Sequence, residues 1–540
     1  MHTKQAVTLF ALSLIPSALS YCPPPGALLP PPSLKNSTSG SPVSESALKE
    51  LEGDDTSFAI RATIGDKDVF SYGYLAPAYD HNNIGLYDTK FRVGSVTKVL
   101  TVLAVLLSED KILFSDSIKK FVPELSGDVW DDVTIQSLAD QTSGLGRFGF
   151  VGDLAVIPTF DPASVGIGPQ NNTHPGCDPF PGGKTCSYEQ VIDMFNNPSQ
   201  LPHSPNSGPL YSNIGFNLLG MALEKVHGKT FEEVVQDLIL SPLELSQSTF
   251  IPPNDTSRAI LPQPGDRWFV PNFENYNPTG GLWSTPNEFH KIFRAIANNE
   301  FLSAPATRKW LQPRAILPSL TQLVGAPWEI LRPADLKVKF PRPIDIYTKS
   351  GGVDGYAGYG IIVPEYNLAV TLNAGGNSST KVIQSAMATV LQGLIEYADV
   401  QAREQATARY AGTYKDSTGN SSMTFEVDDG PGVAITEFTM NGVKVLNTIA
   451  AIQKKDPANF SARVYPTDTD SLGTEKEFWW MHFDTIKKEE SFADMLCSAW
   501  FQLDLYRYNR ESLDAVKFVT EGGNVVAVEM TGWRMALQKS

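Results

Sequence analysis

Near residue 405 the patterning of the chain changes, and that change limits the fold more than any single motif. Upstream, apolar positions recur at helical spacing in "SVTKVLTVLAVLLSEDK", "IGFNLLGMALEKVHG" and "PNEFHKIFRAIANNE". Between these, β-branched and aromatic residues cluster in "SFAIRATIG", "VFSYGYL", "YAGYGIIVPEY" and "LAVTLNAG". Early strands, a helical middle and late strands predict a sheet whose first and last strands meet, with helices packed on it. After the helical "SSTKVIQSAMATVLQGLIEYADVQAREQAT", short strands follow between Gly and Asn turns: "SMTFEV", "GVAITEFTMNGVKVL", "SARVYP", "EFWWMHFD", "AWFQLDLYRY" and "DAVKFVTEGGNVVAVEM". This predicts an α/β (α+β) domain, helices on an antiparallel sheet, over residues 46–404, and a smaller all-β barrel or sandwich over 405–540.

Residues 1–20 combine a weakly basic start, an apolar stretch from Val7 to Pro16 and small residues at Ala18 and Ser20. They are expected to be a secretory signal peptide rather than a membrane anchor, because the apolar run is about ten residues and a span needs about twenty. Residues 21–45, rich in Pro, Ser and Gly, read as an extended leader. Four cysteines in an exported chain favour disulfides over metal ligation. Cys177 and Cys186 bracket one short loop and form the natural local pair, which leaves Cys22 and Cys497 for each other. Sequons at Asn36, Asn171, Asn254, Asn377, Asn420 and Asn459 suit a glycosylated extracellular product. A net charge of −16 argues against nucleic acid as a partner. The seven histidines show neither His-x-His nor His-Glu-x-x-His spacing, so no metal and no cofactor is expected. There is no Gly-x-Ser-x-Gly elbow for a Ser-His-Asp hydrolase.

Three short motifs carry chemistry. Ser95 precedes Lys98 by one helical turn at the head of an apolar helix, where unpaired N–H groups and the helix dipole favour negative charge. The alternative is a capping serine beside a lysine that reaches solvent, and Ser-x-x-Lys also recurs at Ser46/Lys49, Ser117/Lys120 and Ser378/Lys381. Tyr211, Ser212 and Asn213 stand directly before a second helix. Lys349, Ser350 and Gly351 enter a glycine-rich strand of the kind that lets another backbone or a ligand approach.

Taken in order, Ser-x-x-Lys, Tyr-x-Asn and Lys-Ser-Gly resemble the serine β-lactamase and penicillin-binding protein superfamily, and Tyr-x-Asn points to its class C-like branch of D-amino-acid peptidases, esterases and fungal acyltransferases. The likeness covers roughly residues 46–398, including "QTSGLG" and "GGLWSTPNEFHKIF"; the tail resembles the lipocalin-like domains of secreted fungal relatives. The resemblance implies that Ser95 is a nucleophile, that Lys98 and Tyr211 manage its proton, and that the N–H groups of Ser95 and Gly352 hold the oxyanion. It also implies that Asn213, Lys349, Ser350 and Gly351 bind substrate, with Lys349 available for a substrate carboxylate. Two departures are Gln141, where the family has histidine, and Ser350, where it has threonine. The expected activity is hydrolysis of a small-molecule ester, amide or D-amino-acid peptide. Acyl transfer to another acceptor and an inactive secreted binding protein are the alternatives.

Overall fold

The computed structural model describes residues 19–20, 22–34, 42–79, 85–150, 153–156, 159–168, 171, 174–177, 185–197, 200–262, 272–485, 487–488, 497 and 499–540. Most of the expected signal peptide, Asn36 and the tip of the loop between Cys177 and Cys186 lie outside the described residues. The chain divides into two compact units, Pro32–Asp399 and Met1–Pro31 with Val400–Ser540.

The larger unit is built on one antiparallel sheet. Its strands are β1 (Thr56–Ile64), β2 (Lys67–Tyr74), β3 (Ala315–Ile316), β4 (Gln322–Val324), β5 (Glu329–Leu331), β6 (Ile346–Val353), β7 (Tyr356–Val363) and β8 (Leu368–Gly376). They lie in the order β2-β1-β8-β7-β6-β5-β4-β3, so the first long strand pairs with the last, Phe58 opposite Ala374. Four helices matter below: α1 (Thr97–Leu106), α2 (Ile214–His227), α3 (Pro286–Ala297) and α4 (Ser379–Tyr410). β8 is buried along its whole length, because helices cover both faces of the sheet. Its polar Thr371 and Asn373 are accordingly buried as fully as its apolar residues. On one face, Phe289, Ile292, Phe293 and Ile296 of α3 join the apolar cluster that holds α1 and α2. On the other, Val382, Ile383, Val390 and Leu394 of α4 pack with Phe58, Ile60 and Leu372.

The C-terminal unit is a closed barrel. Its strands are β9 (Gly412–Lys415), β10 (Ser422–Glu426), β11 (Val433–Met440), β12 (Phe460–Tyr465), β13 (Lys476–Thr485), β14 (Ala515–Glu521), β15 (Asn524–Met530) and β16 (Met535–Lys539). The order β10-β9-β16-β15-β14-β13-β12-β11 returns to β10, so each of these strands has two neighbours. β14 and β15 form a hairpin that turns through "EGGN", with Glu521 opposite Asn524. Two expected strands fold otherwise. "AWFQLDLYRY" yields a short helix, Ala499–Gln502, and only a two-residue strand at Arg507–Tyr508. The run after Gly442 turns into a helix, Val445–Ile452, whose Val445 and Ile449 dock on the barrel core. There the apolar residues fall three and four apart, and helical spacing prevails over β-propensity.

Inside the barrel, Tyr410, Trp479 and Phe518 pack ring against ring, with centroids 4.8 to 5.3 Å apart. Glu477 is fully buried beside them; it accepts from the Tyr410 hydroxyl (2.6 Å) and the Gly473 amide (2.8 Å), and pairs with Arg409. Removing one member of such a group strands the others without partners. Glu477→Ala is therefore expected to destabilise this unit by on the order of 3 kcal/mol. Denaturant unfolding of the full chain, followed by tryptophan fluorescence, measures it. A loss below about 1 kcal/mol would show that water reaches this group.

Candidate functional site

The backbone enters the site through a constriction. After Val93, Gly94 takes a left-handed conformation (φ 54°), and a Cβ there would stand 2.7 Å from Gly352 N. Gly351 is equally confined, since its Cβ would fall 2.0 Å from Val93 O and 2.9 Å from Ser95 N. β6 thus lies directly on the turn that carries Ser95, backbone against backbone, and only glycine permits it.

Ser95 is not the expected capping residue. It sits in a 3-10 turn, Gly94–Val96, ahead of α1, and makes no capping bond. Thr97 takes that stabilising role, donating to Gly94 O (2.7 Å) and accepting from Leu282 N (3.2 Å). The Ser95 side chain is left half-buried and faces Lys98, whose ammonium donates to Ser95 Oγ (3.0 Å), Asn213 Oδ1 (2.8 Å) and the backbone carbonyl of Thr279 (2.8 Å). Lys98 has no exposed surface, so the solvent-reaching alternative is excluded. The other Ser-x-x-Lys pairs lie elsewhere. Ser117 caps its own turn while Lys120 pairs with Asp116, and Ser46, Lys49, Ser378 and Lys381 are exposed.

Tyr211 and Asn213 arrive from the turn before α2. Lys98 Nζ and Lys349 Nζ lie 5.2 and 5.3 Å from the Tyr211 ring centre, and the exposed Arg147 guanidinium covers the ring at 5.2 Å. Gln141 holds this turn on both sides of the tyrosine. Its side chain accepts from Ser212 N (2.6 Å), and its carbonyl accepts from Leu210 N (2.8 Å). Gln141 itself has a left-handed backbone (φ 66°), so the departure from the family's histidine falls directly behind Tyr211.

Sequence reasoning missed Glu329. β5 sets it opposite Thr348, and its carboxylate pairs with Lys349 while accepting from Ser350 N (3.0 Å) and Ser350 Oγ (2.9 Å). Lys349, 1% exposed, also donates to Ser350 O (2.8 Å). The only available signal was an acidic residue in an otherwise apolar "PWEIL".

These contacts set the charges. Burial pushes the Lys98 ammonium down to about 8, with Lys349 adding to the effect. Burial would raise the Tyr211 hydroxyl, but Lys349 first and Lys98 second outweigh it and bring it down to about 8. Burial likewise opposes the charge on Lys349, yet Tyr211 and Glu329 overcome that and raise it. Two groups that share a proton near neutrality, one bonded to a serine hydroxyl, are suited to generate an alkoxide-like nucleophile.

Residues 63–392 match the beta-lactamase family model. The chain belongs to the beta-lactamase family. A second model, the C-terminal domain of beta-lactamase-like proteins, matches residues 402–540. "Beta-lactamase-like protein" of Arthroderma benhamiae is 28% identical, with 96% of each chain covered. "Probable hydrolase clz13" of Cochliobolus lunatus is also 28% identical, over 90% of this chain and 85% of that one. The D-alanyl-D-alanine-carboxypeptidase/endopeptidase AmpH of Escherichia coli is 25% identical over 58% of this chain and 77% of its own. The class C beta-lactamase of Rhodobacter sphaeroides shares the fold, at 18% identity and a TM-score of 0.50, covering 65% of this chain and 97% of that one. This beta-lactamase family member is a serine hydrolase with a separate C-terminal barrel.

Outside the site, Cys177 is bonded to Cys186 and Cys22 to Cys497, with Cα atoms 4.7 and 5.3 Å apart. Asn171, Asn254, Asn377, Asn420 and Asn459 are exposed. No described helix is long and apolar enough to cross a membrane.

Proposed function

We propose that this chain is a secreted hydrolase of small esters, amides or D-amino-acid peptides that works through an acyl-Ser95 intermediate. The observation that carries the reading is the setting of Lys98. A fully buried ammonium has all three donors directed at fixed oxygens, one of them the serine nucleophile. That environment suits the charged amine, which assigns Tyr211, held between two cations, to proton removal. Ser95 Oγ attacks the carbonyl carbon and its proton passes to the Tyr211 oxygen. The tetrahedral oxyanion rests on the N–H groups of Ser95 and Gly352. Collapse expels the leaving group, which takes the proton from Tyr211; water then attacks the acyl carbon as its proton moves to Tyr211, the bond to Ser95 Oγ breaks, and Oγ takes that proton back as the acid departs. Asn213 positions the substrate and Lys98 together. The two disulfides and the exposed sequon asparagines support an extracellular, glycosylated product, with residues 1–20 removed as a signal peptide.

Incubation with a fluorophosphonate, followed by peptide mass spectrometry, tests the nucleophile. One adduct on Ser95 is expected, and labelling that persists in Ser95→Ala would defeat the assignment.

The acid–base pair also sets the pH response. Both groups titrate at about 8, and the reactive form has lost one of their shared protons. Activity should therefore rise as pH increases through about 8, with kcat/KM falling tenfold per pH unit well below it. A profile flat from pH 5 to 9 would exclude the pair as the proton acceptor.

A further inference from the structure

In a site that binds a substrate carboxylate, the Lys349–Ser350 segment would offer free donors. Here those donors are occupied. Glu329 takes the Lys349 ammonium, the Ser350 hydroxyl and the Ser350 amide, and a second Lys349 donor goes to the carbonyl of Ser350. Remaining toward solvent are acceptors: the lone pairs of the half-buried Ser350 hydroxyl and the edge of the Glu329 carboxylate, whose side chain is 24% exposed. Lys349 is itself almost wholly buried, and its charge is balanced by Glu329 and Tyr211. On this segment an incoming carboxylate would meet an anion and acceptors, with no uncommitted donor but one turned to Tyr211; the exposed Arg147 guanidinium lies over the Tyr211 ring instead.

We propose that Glu329 converts this subsite from one that binds carboxylates into one that seeks hydrogen-bond donors, so that the enzyme selects substrates with an ammonium, amide or hydroxyl there and rejects free carboxylates. The inference rests on the acyl-enzyme reading and names its substrate class. The cluster adjoins Tyr211, the group that returns a proton to the departing atom, so the selection acts on the leaving-group side. Glu329 is a specificity-determining residue in this account, acting by charge and hydrogen-bond polarity on the leaving group.

Three benzoylglycyl thioesters whose leaving groups differ in charge test it: those of thioglycolate, of its primary amide and of 2-(dimethylamino)ethanethiol, which is a tertiary ammonium at neutral pH. For the wild type, kcat/KM for the carboxylate form should lie at least about tenfold below the amide form, and the ammonium form should equal or exceed the amide. The gap should narrow as ionic strength rises, because Glu329 is partly in water. In Glu329→Gln the carboxylate-to-amide ratio should increase about fivefold or more; the ratio within one enzyme is read, so a general loss of rate does not enter. Wild-type preference for the carboxylate, or a ratio unchanged in a folded Glu329→Gln, would overturn the proposal. Absence of turnover together with absence of a Ser95 adduct would instead strike the acyl-enzyme reading. The ranking is then taken from calorimetric binding of the three thioesters to Ser95→Ala, where tighter carboxylate binding overturns the inference.

Discussion

Lys98→Met should lower kcat by about 10³-fold or more while leaving the chain folded. The substitution keeps the volume of the side chain but removes the donor to Ser95 Oγ and one of the two cations beside Tyr211. The Tyr211 hydroxyl then returns toward its ordinary range, so whatever rate remains should depend on a group that titrates above about 8. Stability moves differently. Burying an ammonium is costly in itself, and a methionine relieves that cost while leaving Asn213 Oδ1 and Thr279 O without a donor. The two effects oppose each other, and the change is expected to stay within about 2 kcal/mol. Single-turnover kinetics on a p-nitrophenyl ester, paired with thermal unfolding, read both quantities. Retention of a tenth of the wild-type rate with an unshifted pH profile would show that Lys98 neither orients Ser95 nor sets the titration of Tyr211.

The second large effect is expected from a single methyl group. Gly351→Ala puts a carbon 2.0 Å from Val93 O, 2.8 Å from Val96 N and 2.9 Å from Ser95 N, all backbone atoms. None can swing aside, so β6 must retreat from the turn that carries the serine. The retreat separates the two amides proposed for the oxyanion, and a fall in turnover of about 10²-fold or more follows. Stability should fall by about 1–3 kcal/mol, as for other overpacked sites. Gly352→Ala is the stability control, because a Cβ there meets nothing nearer than Tyr356 O at 3.6 Å. It should unfold within about 0.5 kcal/mol of the wild type. Equal destabilisation by both substitutions would show that β6 does not bear on the Ser95 turn in the way described.

Much of this site was readable along the chain, and what was missed has physical causes. Ser95, Lys98, Tyr211, Asn213 and Lys349 announce themselves by residue type and spacing, and all five meet. The Thr279 carbonyl could not be found that way, because every residue has a carbonyl and only the fold aims this one at Lys98. Gln141 stood out along the chain only as a departure from the family's histidine, since it acts by gripping the backbone of Leu210 and Ser212 about seventy residues away, a contact with no local pattern. Glu329 lies on a three-residue strand, too short for alternation to mark it. In the fold, long strands and helices follow their periodicity closely, whereas the apolar, aromatic "AWFQ" satisfies helix and strand patterns alike and folds as a helix.

The Cys22–Cys497 bond has a consequence for how the protein withstands damage. It closes residues 22 to 497 into one covalent ring that contains every residue of the hydrolase site. A protease that cuts one exposed loop within that ring opens it without releasing a fragment, and the two sides of the cut remain one molecule. Diffusion of one half away from the other, the step that makes most single cuts irreversible, is then unavailable until the bond is reduced. Wherever proteases are met, a nick at one loop is a wound the chain can carry.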